Sequence, residues 1–246
     1  ELDSVRGVVD IALSLIGPSS AIIRNGSILV KNSSVYTMLI NNPLINVDGS
    51  AVISNNEMNI KYFNGTSLRR RSTKKLEVLD NLSLTGSIDF SRFFEPNYNL
   101  SVNSINNRNV YIEAIPIDLA GNLDSLNISI TGRDTVNISG LIEAVDATIF
   151  HEFISEDIGS TLAEDECVVM SYSLNIPIKD EGKFQNSQVD AIMIGEISLS
   201  KIGNQFWNIG GEVYIENGSI LSFKDNFTGL NGYVTFDNNG INPNMD

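Results

Sequence analysis

Thiols, imidazoles and prolines are nearly missing from this chain. One cysteine (Cys167) among 246 residues rules out an internal disulfide and a thiolate metal cluster. One histidine (His151) leaves a single imidazole for proton transfer, and no Ser or Cys nucleophile motif stands near it. Zinc-ligand spacing, a glycine-rich phosphate loop and a dinucleotide fingerprint are also missing. Basic residues are few: 16 Lys and Arg against 30 Asp and Glu give a net charge of −14. That balance excludes nucleic acid, which is bound by neutralising phosphates, and disfavours electrostatic adhesion to an anionic membrane. It does not exclude lipid, because acyl chains are held by apolar surface. No apolar run approaches the roughly 20 residues of a membrane-spanning helix, and no stretch of these residues reads as a signal peptide. The expectation is a protein that is not an enzyme and uses neither metal nor cofactor.

What the chain has in abundance is alternation. Leu82, Leu84, Gly86, Ile88 and Phe90 share one parity, with Ser83, Thr85, Ser87 and Asp89 on the other. Val168, Met170, Tyr172, Leu174, Ile176 and Ile178 repeat the pattern, a strand roughly 35 Å long at about 3.3 Å per residue. Pro177 cannot donate to a ladder and marks a strand end or an edge. Ile45 to Ile53 and Met58 to Tyr62 alternate likewise, and further strands are expected over 100–105, 110–119, 123–130, 136–145 and 191–202. Residues 5–16 fit a helical stripe and a strand equally; the all-β context favours the strand. Asn25-Gly26, Asn64-Gly65, Asn217-Gly218 and Asn231-Gly232 read as tight turns between short strands of eight to ten residues.

Two segments break the rhythm. Residues 69–75 (RRRSTKK) hold five of the 16 basic residues and read as a solvated hairpin loop, with a docking patch for an anionic headgroup or partner as the sharper alternative. Residues 150–166 gather Glu152, Glu156, Asp157, Glu164, Asp165 and Glu166, an acidic excursion with room for a short helix. Paired carboxylates can hydrolyse glycosides, but acids clustered in a loop are ordinarily solvated. An all-β chain with one greasy face must bury it in a sandwich, in a closed barrel or solenoid, or in a sheet folded lengthwise, and all three demand the same alternation.

The C-terminal stretch 207–246 adds an ordered set of parts. Gly210-Gly211 leads into a strand, Phe227-x4-Gly232-x3-Phe236 follows, and Asn242-Pro243-x-x-Asp246 closes it. This arrangement resembles the C-terminal region of the TamB family, the translocation and assembly module subunit, within the AsmA-like lipid-handling group. The resemblance extends over 26–145 through NNPLINVDGSAVI and LSLTGSIDF; the basic and acidic segments depart from the family pattern. It implies a single elongated domain over 1–246, a long antiparallel sheet curled into a U-shaped trough (a β-taco) with an apolar concave face. Glu1 in place of Met, and an end that falls inside the motif, read as a piece of a longer protein. The parent would be anchored in the inner membrane, cross the bacterial periplasm, carry phospholipid toward the outer membrane and support outer-membrane protein assembly with a TamA- or BamA-like β-barrel partner. The expected groove lining is Leu82, Leu84, Ile88, Phe90, Val168, Met170, Tyr172, Leu174, Ile176 and Ile178, with ordinary core as the plainer reading of the same residues. The alternative function is a surface adhesin or autotransporter-like β-solenoid that acts as an interaction module.

Overall fold

A computed structural model of the chain describes residues 2–18, 21–37, 40–67, 80–105, 109–114, 118–150, 169–222, 225–240 and 244–245. These residues form 14 strands in one curled sheet and, among them, no helix. In chain order the strands are β1 (Leu2–Ile16), β2 (Ile23–Thr37), β3 (Leu44–Ser54), β4 (Glu57–Ser67), β5 (Leu82–Asp89), β6 (Asn97–Ser104), β7 (Val110–Ala114), β8 (Leu119–Gly132), β9 (Thr135–Ile149), β10 (Val169–Gln185), β11 (Val189–Ile202), β12 (Asn208–Ser222), β13 (Asp225–Asp237) and β14 (Asn244–Met245). Neighbours in sequence are neighbours in space. The one departure is β6 and β7, which lie end to end along β8: β6 pairs with its C-terminal half and β7 with its N-terminal half.

The all-β expectation holds, including the strand over residues 5–16. Four expectations about its details do not. First, the sheet is not antiparallel throughout. β10 pairs with β9 in parallel, Val169 beside Thr135 and Phe184 beside Ile149. The chain therefore re-enters at the start of β9, and a connection longer than a hairpin joins the two.

Second, the Asn-Gly pairs named above do not reverse the chain. Asn25-Gly26 runs straight through β2, where Gly26 faces Leu13 and Ile53 and a Cβ would stand 2.2 Å from the Ala12 carbonyl oxygen. Glycine is used there for close approach of a neighbouring strand, not for a turn. Asn217, with φ 52°, makes a bulge within β12 that shifts the register between Ile215 and Gly218. Asn64-Gly65 lies in β4, and Asn231-Gly232 in β13. Most strands are correspondingly longer than eight to ten residues, up to 17 in β10, while β5 and β6 have the expected eight.

Third, Pro177 is neither at an edge nor at an end. It lies in the middle of β10, opposite Glu196 of β11. The cost of its missing donor falls on the other side: the ladder to β9 has no partners at Ile176 and Pro177, while Asn175 and Ile178 on either side are paired. Fourth, the expected strands over 110–119 and 123–130 are not parted at Gly121-Asn122, which sits inside β8, paired on both sides. The basic segment 69–75, the acidic excursion with His151 and Cys167, and Val168, Asn242, Pro243 and Asp246 lie outside the described residues.

Bulges account for the curl. Register slips occur at Arg6/Val8, Val30/Ser33, Ile45/Asp48, Ile60/Phe63, Leu123/Ser125, Ile178/Gly182, Asp190/Ile192 and Ile215/Gly218. Each extra residue bends its strand and adds right-handed twist. Asn32 and Asn46 hold positive φ at two of these positions (43° and 52°), which asparagine tolerates better than most residues.

At one place the curl closes a small barrel. Ile40, just before β3, pairs with Ala114 of β7, and the Asn41 amide donates to the Glu113 carbonyl at 2.9 Å. A knot of buried polar side chains seals the closure. Asn42 accepts from the Glu113 amide at 2.9 Å and donates to the Tyr111 carbonyl at 3.1 Å and to Ser67 Oγ at 2.5 Å. The Ser67 hydroxyl donates to the Tyr111 carbonyl. Asn81 accepts from the Ser67 amide at 2.8 Å and donates to the carbonyls of Ser67 and Asn109, each at 2.9 Å. Both side chains thus stand in for missing rungs of the ladder. Replacing Asn81 with Ala orphans those groups at about 1–3 kcal/mol each, so a loss of at least that size is expected in urea unfolding, against less than about 0.5 kcal/mol for the exposed Asn239→Ala.

Candidate functional site

Side chains alternate between the faces of a strand, so the register of each ladder decides which residues share a face. Traced from strand to strand, the ladders define continuous rows. One runs Val9, Val30, Gly49, Phe63, Leu84, Val102, Ile128, Gly140, Leu174, Leu199, Ile209. The next, on the same face, runs Ile11, Ile28, Ala51, Ile60, Gly86, Leu100, Ile130, Ile138, Tyr172 and ends at Lys201. A third begins at Leu13 and ends at Val136 and Met170. Toward the opposite strand ends lies a fourth: Val110, Leu123, Ala144, Ile178, Gly195, Val213, Val234. Apart from Lys201, the residues named on these rows are apolar side chains, tyrosine or glycine.

The other face is mainly polar, broken by an exposed row of Ile194, Tyr214 and Tyr233. Thr85, Ser101, Ser129, Ser139, Ser173, Ser200 and Asn208 form one of its rows. The abundance of Ser and Asn in the sequence is this outer surface.

Burial along the inner face is uneven. Val110 and Leu123 are fully buried, and they belong to a cluster that reaches from Leu82 on β5 to Val234 on β13. At the β1 end the face is open: Val9 is 41%, Leu13 54% and Ile11 64% exposed. The expected groove residues divide accordingly. Leu82, Leu174, Ile176 and Ile178 are buried within the cluster. Leu84, Ile88, Phe90 and Tyr172 are half-buried, and Met170 is exposed. Leu84, Leu174 and Tyr172 fall on the traced rows, and Ile88 and Met170 on the third; all share one face, as their parity implied. The accessible apolar residues of this face that were not among those candidates include Val9, Ile11, Leu13 and Leu15. Their signal was the same-parity spacing in residues 9–15, obscured because a helical stripe fitted equally well.

The C-terminal set has a structural account. Phe236 lies opposite Gly211 and packs against the core cluster. Gly211 has φ 108°, and a Cβ on it would come within 2.2 Å of the Glu196 carbonyl oxygen. Gly210 is buried, its α-carbon facing the Asn238 side chain, and Gly232 pairs with Ile215. Phe227 is exposed and pairs with Ile220. Comparison with family models, with curated proteins and with solved structures finds no match.

As to chemistry, no group of three His, Cys, Asp or Glu that could hold a metal ion stands among the described residues. No helix of the described residues is long and apolar enough to cross a membrane. Asp89 has its carboxyl held below the ordinary aspartate value of 3.8, first by the Ser91 amide, then by the Ser91 hydroxyl, with Arg133 at 3.2 Å adding to it and burial opposing. A depressed folded value contributes stability that is present above the unfolded pKa and lost as pH falls through the folded one. Wild type should therefore lose more of its urea midpoint than Asp89→Asn between about pH 5 and pH 2.5, and less than about 0.5 kcal/mol should separate them at pH 7 once the partly solvated setting is counted.

Glycines on the inner rows can be tested separately. Gly140 has φ 150°, and a Cβ there would meet the Asn127 carbonyl oxygen at 2.0 Å. Gly140→Val combines backbone strain with overpacking, and a loss of about 2–4 kcal/mol in equilibrium unfolding is expected.

Proposed function

We propose that this chain is a segment of a TamB-like envelope protein whose inner face houses phospholipid acyl chains. In this reading the curled sheet works as a lengthwise trough, a β-taco, in the bacterial periplasm. It belongs to a larger protein anchored in the inner membrane that carries phospholipid to the outer membrane and supports assembly there with a β-barrel partner. The role is non-enzymatic. The observation that carries it is the set of same-face apolar rows crossing up to eleven strands, continuous by backbone register from β1 to β12.

A row of that kind suits a long, featureless ligand. Acyl chains contribute about 0.8 kcal/mol for each CH₂ taken from water and need no directional partner. The open stretch at Val9, Ile11 and Leu13 is where they would lie, and the packed rows under β8 to β13 are the stiff wall that keeps the sheet curled. Passive housing of this kind asks nothing of nucleophiles, bases or metals. The adhesin-like β-solenoid has less behind it, because such coils stack strands in parallel whereas these pair antiparallel at every described seam but one.

Ile11→Arg and Leu13→Arg place a cation on the open part of the inner face. Phospholipid recovered with the purified chain should fall roughly tenfold, the scale of about 1.4 kcal/mol, while the urea midpoint is unchanged because both side chains are more than half exposed. A photocrosslinking amino acid at Ile11, Leu13 or Met170 that captures no phospholipid in cell envelopes would sink the reading.

A further inference from the structure

Register also fixes which strand ends share a rim. Ser54 pairs with Glu57, Glu57 with Asp89 and Asp89 with Asn97; Tyr98 pairs with Gly132, and Ser171 with Ile202. The β5–β6 and β11–β12 loops, the end of β1 and the start of β2 therefore lie along one side of the sheet. That rim exposes large apolar side chains: Phe94 at 91%, Phe206 at 74%, Ile16 at 57%, Ile202 at 55% and Phe93 at 54%. Single exposed apolar residues are ordinary on a protein surface, but several along one rim mark an interaction surface. From the β5–β6 loop to the β11–β12 loop is five strand steps, about 24 Å at ~4.8 Å per step.

The cations beside these rings are engaged locally, and the exposed acids Glu57 and Asp134 share the rim. Arg24 lies over the Phe93 ring, 4.8 Å from its centroid, and Lys201 over Trp207 at 5.5 Å. Arg92 and Arg133 are matched locally, by Glu95 at 3.4 Å and Asp89 at 3.2 Å. Rings that project past cations held on aromatic faces are what a headgroup layer accommodates: phenyl groups below the phosphates, long cationic side chains level with them. An anionic surface would oppose a chain of net charge −14.

We propose that this rim inserts into the headgroup layer of a zwitterionic phospholipid bilayer, with Phe94 and Phe206 as its deepest anchors. The surface is distinct from the inner rows and does not rest on acyl chains being housed there. Rim variants should lose vesicle binding and keep co-purified lipid, and Ile11→Arg should do the reverse.

The test uses the whole 246-residue chain with phosphatidylcholine vesicles, read by co-flotation and by the emission of Trp207, the one tryptophan, which stands beside the rim. The chain should float with the vesicles and its emission shift to the blue. Phe94→Ser with Phe206→Ser should lower partitioning roughly 100-fold, about tenfold per ring. Circular dichroism and the urea midpoint should be unchanged, since both rings are exposed. Phe227→Ser, on the opposite rim and 53% exposed, should leave partitioning as it is. Failure to float with phosphatidylcholine, equal flotation of the double variant, tighter binding to phosphatidylglycerol, or flotation only after an envelope protein is added would each overturn the proposal.

Discussion

Everything in this molecule depends on the ladder register being kept from strand to strand. A slip of one residue would exchange the two faces of a strand, placing Ser and Asn in the interior and Ile and Leu in water. The contrast between the Val9-to-Ile209 row and the Thr85-to-Asn208 row penalises such a slip at every strand it crosses. Bulges are tolerated under this constraint where they restore the parity, and the interrupted partner of β8 shows how. Val102 of β6 and Val110 of β7 both pair with inner-face residues of β8, Ile128 and Leu123, despite the break between them.

The polar knot at the small barrel is the complement of this apolar order. A sheet that curls until non-consecutive segments meet must satisfy the backbone groups it brings together. Asn42 and Asn81 do so with side-chain amides, whose donor and acceptor are spaced like those of a peptide group. At only 3% exposure each, they are tolerated because each amide is bonded at both ends.

Alternation is legible in a single sequence because it is a local, period-two signal, and so the strands and the shared face of Leu84, Ile88, Met170, Tyr172 and Leu174 could be read directly. What could not be read was how neighbours use a residue. Asn25-Gly26 is chemically a turn and structurally a close approach, decided by the Ala12 carbonyl on another strand. Pro177 reads as an edge until the ladder beside it is seen to skip two rungs. Burial is equally non-local: Ile11 and Ile178 look alike in sequence, yet one is 64% and the other 3% exposed, because β1 has a neighbour on one side and β10 on both. The direction of β10 against β9 was also hidden, since parallel and antiparallel strands carry the same pattern of side chains.

That parallel seam has a further consequence, for the order of assembly. On one side of it, β1 to β9 join segments close in sequence, the closure of Ile40 on Ala114 excepted; on the other, β10 to β14 do the same. Hairpins of this kind close quickly, while parallel pairing must first bring distant segments together. The two meanders are therefore expected to form as separate units, with their zipping along β9 and β10 the slow step.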